Sequence, residues 1–127
     1  MPQYDIARIS SNADAIAANL VGDGTQLHLE LEVADAATTQ SGSINITPNT
    51  WYWITMQFNT TGSHKMSVYE TTNWTLIGSA SGAVQANQPA FDLEIGHVGG
   101  EQAPGPLYMY YANLAADYTT GTYPLGP

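Results

Sequence analysis

Two runs of alternating hydrophobic and polar residues, 51–59 and 64–70, flank a short polar segment that contains Gly62. Because successive side chains of a β-strand point to opposite faces, the first run separates into an apolar face and a mixed face. The apolar face would carry Tyr52, Ile54, Met56 and Phe58, and the mixed face Trp51, Trp53, Thr55, Gln57 and Asn59. A glycine-bearing loop of about four residues between two such runs predicts a β-hairpin, which we expect at the centre of an antiparallel sandwich.

Regular alternation also predicts a strand over residues 26–33, QLHLELEV. Its inward set would be Leu27, Leu29, Leu31 and Val33, and its outward set His28, Glu30 and Glu32. The alanine-rich residues 15–21 could form a helix, but a helix of that length is marginal by itself. Since their neighbours are strands, we expect a strand there too. Residues 4–10, near the start of the chain, are also predicted to be a strand. Ile6 and Ile9 are three residues apart there, so they are out of phase for one face of a regular strand.

Further strands are predicted at residues 42–47, 74–79, 91–96 and 106–114, with a loop at 34–40. About nine short strands then follow one another at spacings of roughly 8–12 residues, which is typical of an all-β sandwich. We therefore expect an all-β fold, an antiparallel two-sheet sandwich. By its length the chain would form one domain, residues 1–127.

The charge of the chain limits its partners. Eleven carboxylates face only Arg8 and Lys65, which gives a formal net charge of −9. Such a surface repels phosphate backbones and anionic lipid head groups, so we expect neither nucleic-acid binding nor membrane insertion. No apolar run approaches the roughly 20 residues that a membrane-spanning helix needs. A glycan or another protein is the expected partner.

The composition also bears on location. The chain contains no cysteine, which excludes a disulfide framework and a thiolate metal site. Its surface polarity comes mainly from Thr, Ser, Asn, Gln and Gly, a bias common in secreted, virion-borne and cell-surface β-proteins. We expect an extracellular, cell-surface or virion location, as part of a larger chain or assembly.

Four segments resemble the laminin G-like or concanavalin A-like lectin-glucanase superfamily. They are NTWY at 49–52, VYE at 68–70, LEIG at 93–96 and the ending TGTYPLGP. The resemblance covers residues 6–127 and implies a jelly-roll domain. Members usually begin with one or two further strands, so the resemblance leaves open a domain that lacks its first strands. They also often carry paired Asp residues where 111–113 reads YAN, which weakens any calcium site taken over from the family.

The resemblance implies a non-catalytic carbohydrate-binding or adhesion module of a larger extracellular or phage structural protein. One alternative is a divergent glycoside hydrolase of the laminarinase type, whose members place catalytic carboxylates in an E-x-D-x-E pattern on one strand face. Here the pattern reads H-L-E-L-E, and Glu30 and Glu32 would be the acid and nucleophile. The other alternative is a structural decoration domain of a fibre or capsid.

The glutamates also have a simpler explanation. Residues two apart on a strand lie about 7 Å from each other, whereas a retaining hydrolase needs carboxyl groups about 5–5.5 Å apart. We therefore favour a solvated polar face for His28, Glu30 and Glu32. Asp92 and Glu94 form a second outward pair that could complete a metal site opposite them. His64 and His97 are expected to be solvated loop residues.

Trp53 is the most informative residue for function. It lies on the polar face of its strand, where burial in the core does not explain it. The alternative is that Trp53 packs under a loop, or against the second sheet if the two faces of the strand are reversed. A flat aromatic ring beside amide and hydroxyl groups suits a pyranose, whose C–H face stacks while its hydroxyls form hydrogen bonds. The predicted ligand-binding set is Trp53, Thr55, Gln57, Tyr69 and Trp74. No cofactor is expected except, as a minor alternative, calcium at Asp23 and Asp35.

Overall fold

The computed structural model describes residues 3–11, 15–22, 24–34, 39–59, 63–82, 92–96 and 109–116. Their regular structure consists of strands, and none of them forms a helix able to cross a membrane. The strands are β1 Gln3–Ser10, β2 Ala15–Gly22, β3 Leu27–Ala34, β4 Thr39–Ile46, β5 Tyr52–Gln57, β6 His64–Glu70, β7 Thr75–Gly82 and β8 Asp92–Ile95.

These strands pair antiparallel in two sheets. One sheet has the order β4-β3-β2-β1-β8 and the other has the order β5-β6-β7. Strands adjacent in sequence are neighbours within each sheet, except that β8 returns to pair with β1. Strand β7 packs against β4 and β3, and β6 packs against β3, so the two sheets lie face to face. The prediction of an all-β antiparallel sandwich of two sheets is confirmed.

The core lies between the sheets and takes side chains from one face of each of the strands β1 to β7, whereas β8 is exposed along its length. From β3 it receives Leu29, Leu31 and Val33, each at most 1 % exposed. From β6 it receives Met66 and Val68, which are fully buried. The side chains of β5 and its continuation that pack against this core are Tyr52, Ile54, Met56 and Phe58. The inward and outward faces predicted for β3 and β5 are therefore confirmed, and Trp53 points away from the core.

A β-bulge explains the irregular spacing of the first strand. The register of β1 against β2 shifts between Asp5 and Ala7. Such a bulge inserts one extra residue, so two side chains three positions apart can face the same side. Ile6 belongs to the core and Ile9 packs against it.

Two glycines of β7 allow the sheets to approach closely. A Cβ at Gly78 would lie 2.9 Å from Ile44 Cγ1, and one at Gly82 would lie still closer to Val33 Cγ2. Both distances are shorter than a normal carbon contact, so larger residues would push the sheets apart. Glycine is therefore required where β7 crosses β4 and β3.

Several predicted boundaries differ from the structure. Strand β4 begins at Thr39, inside the stretch predicted as a loop, whose residues 35–38 lie outside the described ranges. Trp74 belongs to a turn that precedes β7, not to the strand itself. The strand predicted at 106–114 is wrong for its described part, since 109–114 form none. There Asn113 has a φ of 55°, which interrupts an extended chain.

Candidate ligand-binding site

The outward side of the three-stranded sheet presents three rows of side chains that run across the strands. We call this surface the Trp53 face. Register places the rows two residues apart along β5 and β6, which is about 7 Å. The aromatic row, named for its two aromatic residues, consists of Trp53, Tyr69 and Leu76. The hydroxyl row consists of Thr55, Ser67 and Ser79. The lysine row consists of Gln57, Lys65 and Ser81.

The aromatic row depends on a second β-bulge. The register of β6 against β7 shifts between Val68 and Tyr69, which brings Leu76 opposite Tyr69. Leu76 is 51 % exposed, although it is a large apolar residue. Without the shift, Ile77 would take the position beside Tyr69. The apolar side chain beside Tyr69 is therefore selected by strand pairing and not by the alternation of β7.

Trp74 extends the aromatic row from the turn between β6 and β7. The ring centroids of Trp53 and Trp74 are 6.0 Å apart, and the ring planes meet at 71° in an edge-to-face arrangement. Trp74 is 46 % exposed and has a φ of 53°. A bulky residue in the left-handed region is a genuine outlier, and such strain is often found at functional sites. The fold thus holds an exposed indole in an unfavourable backbone conformation.

The carboxylate of Glu70 stabilises this turn. It accepts hydrogen bonds from the backbone N–H of Thr72 at 2.8 Å and of Asn73 at 3.3 Å. The Thr72 hydroxyl, followed by the two backbone N–H groups, holds the pKa of the Glu70 carboxyl below its usual range. The hydroxyl of Thr71 donates to the carbonyl of Trp51 across the same end of the sheet, at 3.1 Å. An ionised Glu70 therefore supports the backbone that presents Trp74.

The predicted ligand-binding residues do come together, but they are unequally accessible. Trp74 is exposed, whereas Trp53, Gln57 and Tyr69 are half-buried. Thr55 is only 6 % exposed, and its hydroxyl lies 3.5 Å from the carbonyl oxygen of Ser67. Contact with a ligand would therefore come mainly from the aromatic side chains and from the exposed ends of the other rows.

The glutamates of β3 lie on the outward side of the other sheet, as predicted, but in a different environment. His28 is 7 % exposed, and its Nε2 lies 3.2 Å from Glu30 Oε1. Glu32 accepts a 2.8 Å hydrogen bond from the side-chain nitrogen of Asn19, a fully buried residue. The expected solvated polar face is therefore wrong for His28, which belongs to a buried polar cluster of Asn19, His28, Glu30 and Glu32.

This polar cluster arises because β2 is buried along its whole length. Outward Ala17 and Val21 are 4 % and 3 % exposed, although only one face of β2 meets the core. Asn19 lies directly opposite Glu30 in the sheet. Its Oδ1 finds no hydrogen-bond partner among the described residues. Sequence alternation alone could not reveal this burial, since outward positions on a strand normally face solvent.

The structure excludes the metal site with Asp92 and Glu94. Strands β2 and β1 separate β3 from β8, which places the two pairs about 14 Å apart at the normal strand spacing. Within the described ranges, no three His, Asp or Glu side chains are arranged to hold a metal ion. Asp23 and Asp35 lie outside those ranges, so the calcium prediction stays a prediction.

His64 is not a solvated loop residue, contrary to the prediction. It is the first residue of β6 and is 1 % exposed. Its Nδ1 accepts a hydrogen bond from the backbone N–H of Asn59 at 3.0 Å, and its ring lies 4.8 Å from that of Phe58. His64 therefore closes the β5–β6 hairpin. His97 lies outside the described ranges.

Comparisons of the chain with family models, with curated proteins and with solved structures found no match. The chemistry of its surfaces must therefore carry any functional conclusion.

Proposed function

We propose that the chain is a non-catalytic carbohydrate-binding or adhesion module of a larger extracellular or phage structural protein. The observation that carries this proposal is the edge-to-face pair of Trp53 and Trp74, in which Trp74 is exposed and Trp53 is half-buried. Indole rings stack on the C–H face of a sugar, and adjoining amide and hydroxyl groups bind its polar edge. Similarity to the laminin G-like or concanavalin A-like superfamily, which includes lectins, is part of the same proposal.

The strain at Trp74 strengthens the argument from exposure. A single exposed apolar residue on a protein surface needs no explanation. An exposed indole that is held in a left-handed backbone conformation, and whose turn is stabilised by Glu70, does need one. Ligand contact gives a reason for a residue type that is unfavourable for the fold at this position.

A glycan array with four proteins tests the proposal: wild type, Trp53→Ala, Trp74→Ala and the control Tyr110→Ala. Tyr110 is 76 % exposed and adjoins Tyr111, whose hydroxyl donates to Ile6 of the other sheet. We expect each Trp variant to lose roughly tenfold or more in affinity, which corresponds to about 1.4 kcal/mol, and the control to bind normally. Circular dichroism would verify that each variant is folded.

The array gives clear negative outcomes. Absence of any glycan signal from the folded wild type would refute carbohydrate binding. A signal that Trp74→Ala retains in full would show that the sugar binds elsewhere. Because Trp74 is more exposed than Trp53, its removal disturbs the packing around it less than removal of Trp53 does.

The hydrolase alternative rests on Glu30 and Glu32, which share one face of β3. Each carboxylate already has a partner, His28 for Glu30 and Asn19 for Glu32. We therefore expect no release of reducing sugar from β-glucans by the wild type. Release that is abolished in Glu30→Gln and Glu32→Gln would overturn the non-catalytic proposal.

A structural role in a fibre or capsid is favoured by a second exposed apolar group. Leu93 and Ile95 of β8 are 47 % and 41 % exposed, and Leu114 is 65 % exposed. Exposed apolar side chains on an edge strand of a sheet are common where neighbouring subunits pack. Sedimentation analysis over a range of concentrations tests this role, because a chain that stays monomeric in isolation gives it no support.

A further inference from the structure

The two sheets differ in charge. The described strands of the five-stranded sheet contain one cation, Arg8, and five carboxylates. The carboxylates are Asp5, Glu30, Glu32, Asp92 and Glu94. Residues 36–91, which include the whole three-stranded sheet, contain Glu70 as their only carboxylate and Lys65 as their only cation. Glu70 lies at the turn end of β6, where backbone N–H groups bind its carboxylate. In a chain of net charge −9, the Trp53 face therefore lacks the general negative charge.

The lysine row is a set of hydrogen-bond donors at the end of the Trp53 face opposite the turn. Lys65 pairs with Gln57 on one side and with Ser81 on the other. Lys65 and Ser81 are exposed, and Gln57 is half-buried. An ammonium, an amide and a hydroxyl can all donate to one carboxylate, and charge-assisted hydrogen bonds are stronger than neutral ones.

The distance between the rows sets the size of the ligand. Lys65 and Tyr69 are four residues apart on β6, so the lysine row lies about 14 Å from the aromatic row. A single pyranose cannot cover both rows. A ligand that uses both must contain at least two linked sugars. Beneath the linkage, Ser79 is the exposed member of the hydroxyl row, because Thr55 and Ser67 are buried.

From this arrangement we infer that the Trp53 face binds a short acidic oligosaccharide. A neutral sugar stacks on the aromatic row, and a uronic-type carboxylate on the next or terminal sugar is bound at Lys65. This inference rests on the proposed carbohydrate-binding function and specifies its ligand class. A highly sulfated or otherwise polyanionic glycan is excluded, because the remaining charge of the molecule would repel it.

The test uses pairs of oligosaccharides that differ only at one terminal sugar, which carries either CH₂OH or a carboxylate. Gluco, galacto and manno pairs are titrated against wild type, Lys65→Gln and Arg8→Gln. Arg8 is the matched control, because its removal changes the net charge by the same amount as removal of Lys65. Arg8 lies on the other sheet, opposite Ala17 and Glu94. We expect wild type to prefer one acidic form by about three- to fivefold at low salt.

Lys65→Gln should abolish this preference while it still binds the neutral form, and Arg8→Gln should keep the preference. High salt should reduce the preference in wild type, because an exposed ion pair is screened. Equal affinity for both members of every pair, with neutral binding intact, would overturn the inference and leave the proposed function standing. Absence of binding to either form would refute both. A preference that Arg8→Gln loses as fully as Lys65→Gln would indicate a general charge effect and overturn the role of Lys65.

Discussion

The outward faces of the two sheets use their polar groups in opposite ways. On the five-stranded sheet, Asn19, His28, Glu30 and Glu32 are buried or nearly so and bind one another. On the three-stranded sheet, the Trp53 face leaves large apolar side chains in solvent. Its exposed polar side chains are Ser79 in the middle row and Lys65 and Ser81 at one end. Polar groups that are buried and paired specify a structure, whereas exposed aromatic groups are available to a ligand.

This contrast changes the interpretation of the carboxylates. Two glutamates on one strand face suggest catalysis from sequence, yet the structure gives each of them an internal partner. The tryptophans, in contrast, are presented where a partner can reach them. We therefore expect the outward side of β3 to contribute to stability, and the recognition that we propose would fall to the outward side of β5.

The largest effect is expected from a charge placed in the buried polar cluster. Asn19→Asp would put a second carboxylate at the position of a donor that now binds Glu32 at 2.8 Å. We expect a loss of about 3–5 kcal/mol in the free energy of unfolding at neutral pH, since an unpaired buried charge results. The loss should shrink in acid, because protonation of the introduced carboxyl removes the repulsion. Urea denaturation measures both.

Asn45→Asp is the matched control for that change. Asn45 lies on β4 opposite His28 and is exposed. An exposed surface substitution should alter the free energy of unfolding by no more than about 0.5 kcal/mol. Similar losses at the two positions would contradict the difference in burial between them.

A smaller effect is expected from a buried hydroxyl. Val21→Thr introduces an oxygen at an outward position of β2 that is 3 % exposed, and Ile77→Thr does so at a position of β7 that is 39 % exposed. The first change should cost about 1–3 kcal/mol, the typical penalty for burying a polar group, and the second far less. Thermal or urea denaturation of the pair tests the comparison directly, and equal costs would show that the two outward faces are equally solvated.

The backbone strain at Trp74 gives a third prediction. Both Trp74→Gly and Trp74→Ala remove the indole, but only glycine adopts a φ of 53° without a Cβ penalty. The glycine variant should therefore be more stable than the alanine variant by about 1 kcal/mol. At Trp51, which has no positive φ, alanine should be at least as stable as glycine. An alanine advantage at Trp74 would argue against strain.

The smallest effect concerns Glu70 and pH. Because hydrogen bonds to Thr72 and Asn73 lower the pKa of Glu70, its ionised form stabilises the fold above the usual glutamate range. This contribution is lost as the pH falls through the lowered pKa. In urea titrations from neutral to acid pH, wild type should thus lose more stability than Glu70→Gln. The exposed Glu94→Gln serves as a control for removal of one carboxylate and should follow wild type.

Period-two alternation was enough to predict most of the architecture. It predicted that Leu29, Leu31 and Val33 face inward while His28 and the glutamates face outward, and that Trp53 points away from the core. These predictions follow because a strand has only two faces and one of them must be buried. The prediction of a strand for the alanine-rich β2 rests instead on the marginal length of a helix there and on the strands that flank it. These conclusions depend on local geometry, which neighbouring residues determine.

Alternation could not predict features that depend on how strands pair. The bulge between Val68 and Tyr69 places Leu76 beside Tyr69. Trp74 belongs to the turn that Glu70 stabilises and not to the start of β7. Nor could it predict that His64 would close a hairpin by accepting the N–H of Asn59. Each of these features depends on a specific strand pairing or hydrogen bond, which the period-two pattern does not encode.

The sequence by itself determined which side of each main strand is apolar, since side-chain direction follows from the residue's place in the strand. Only the tertiary structure decided which outward side would be buried and which would meet solvent. The physical reason is that burial depends on the neighbours that strand pairing and sheet packing bring together. For that reason Asn19 and Glu32 are internal partners, whereas Trp74 and Lys65 are open to solvent.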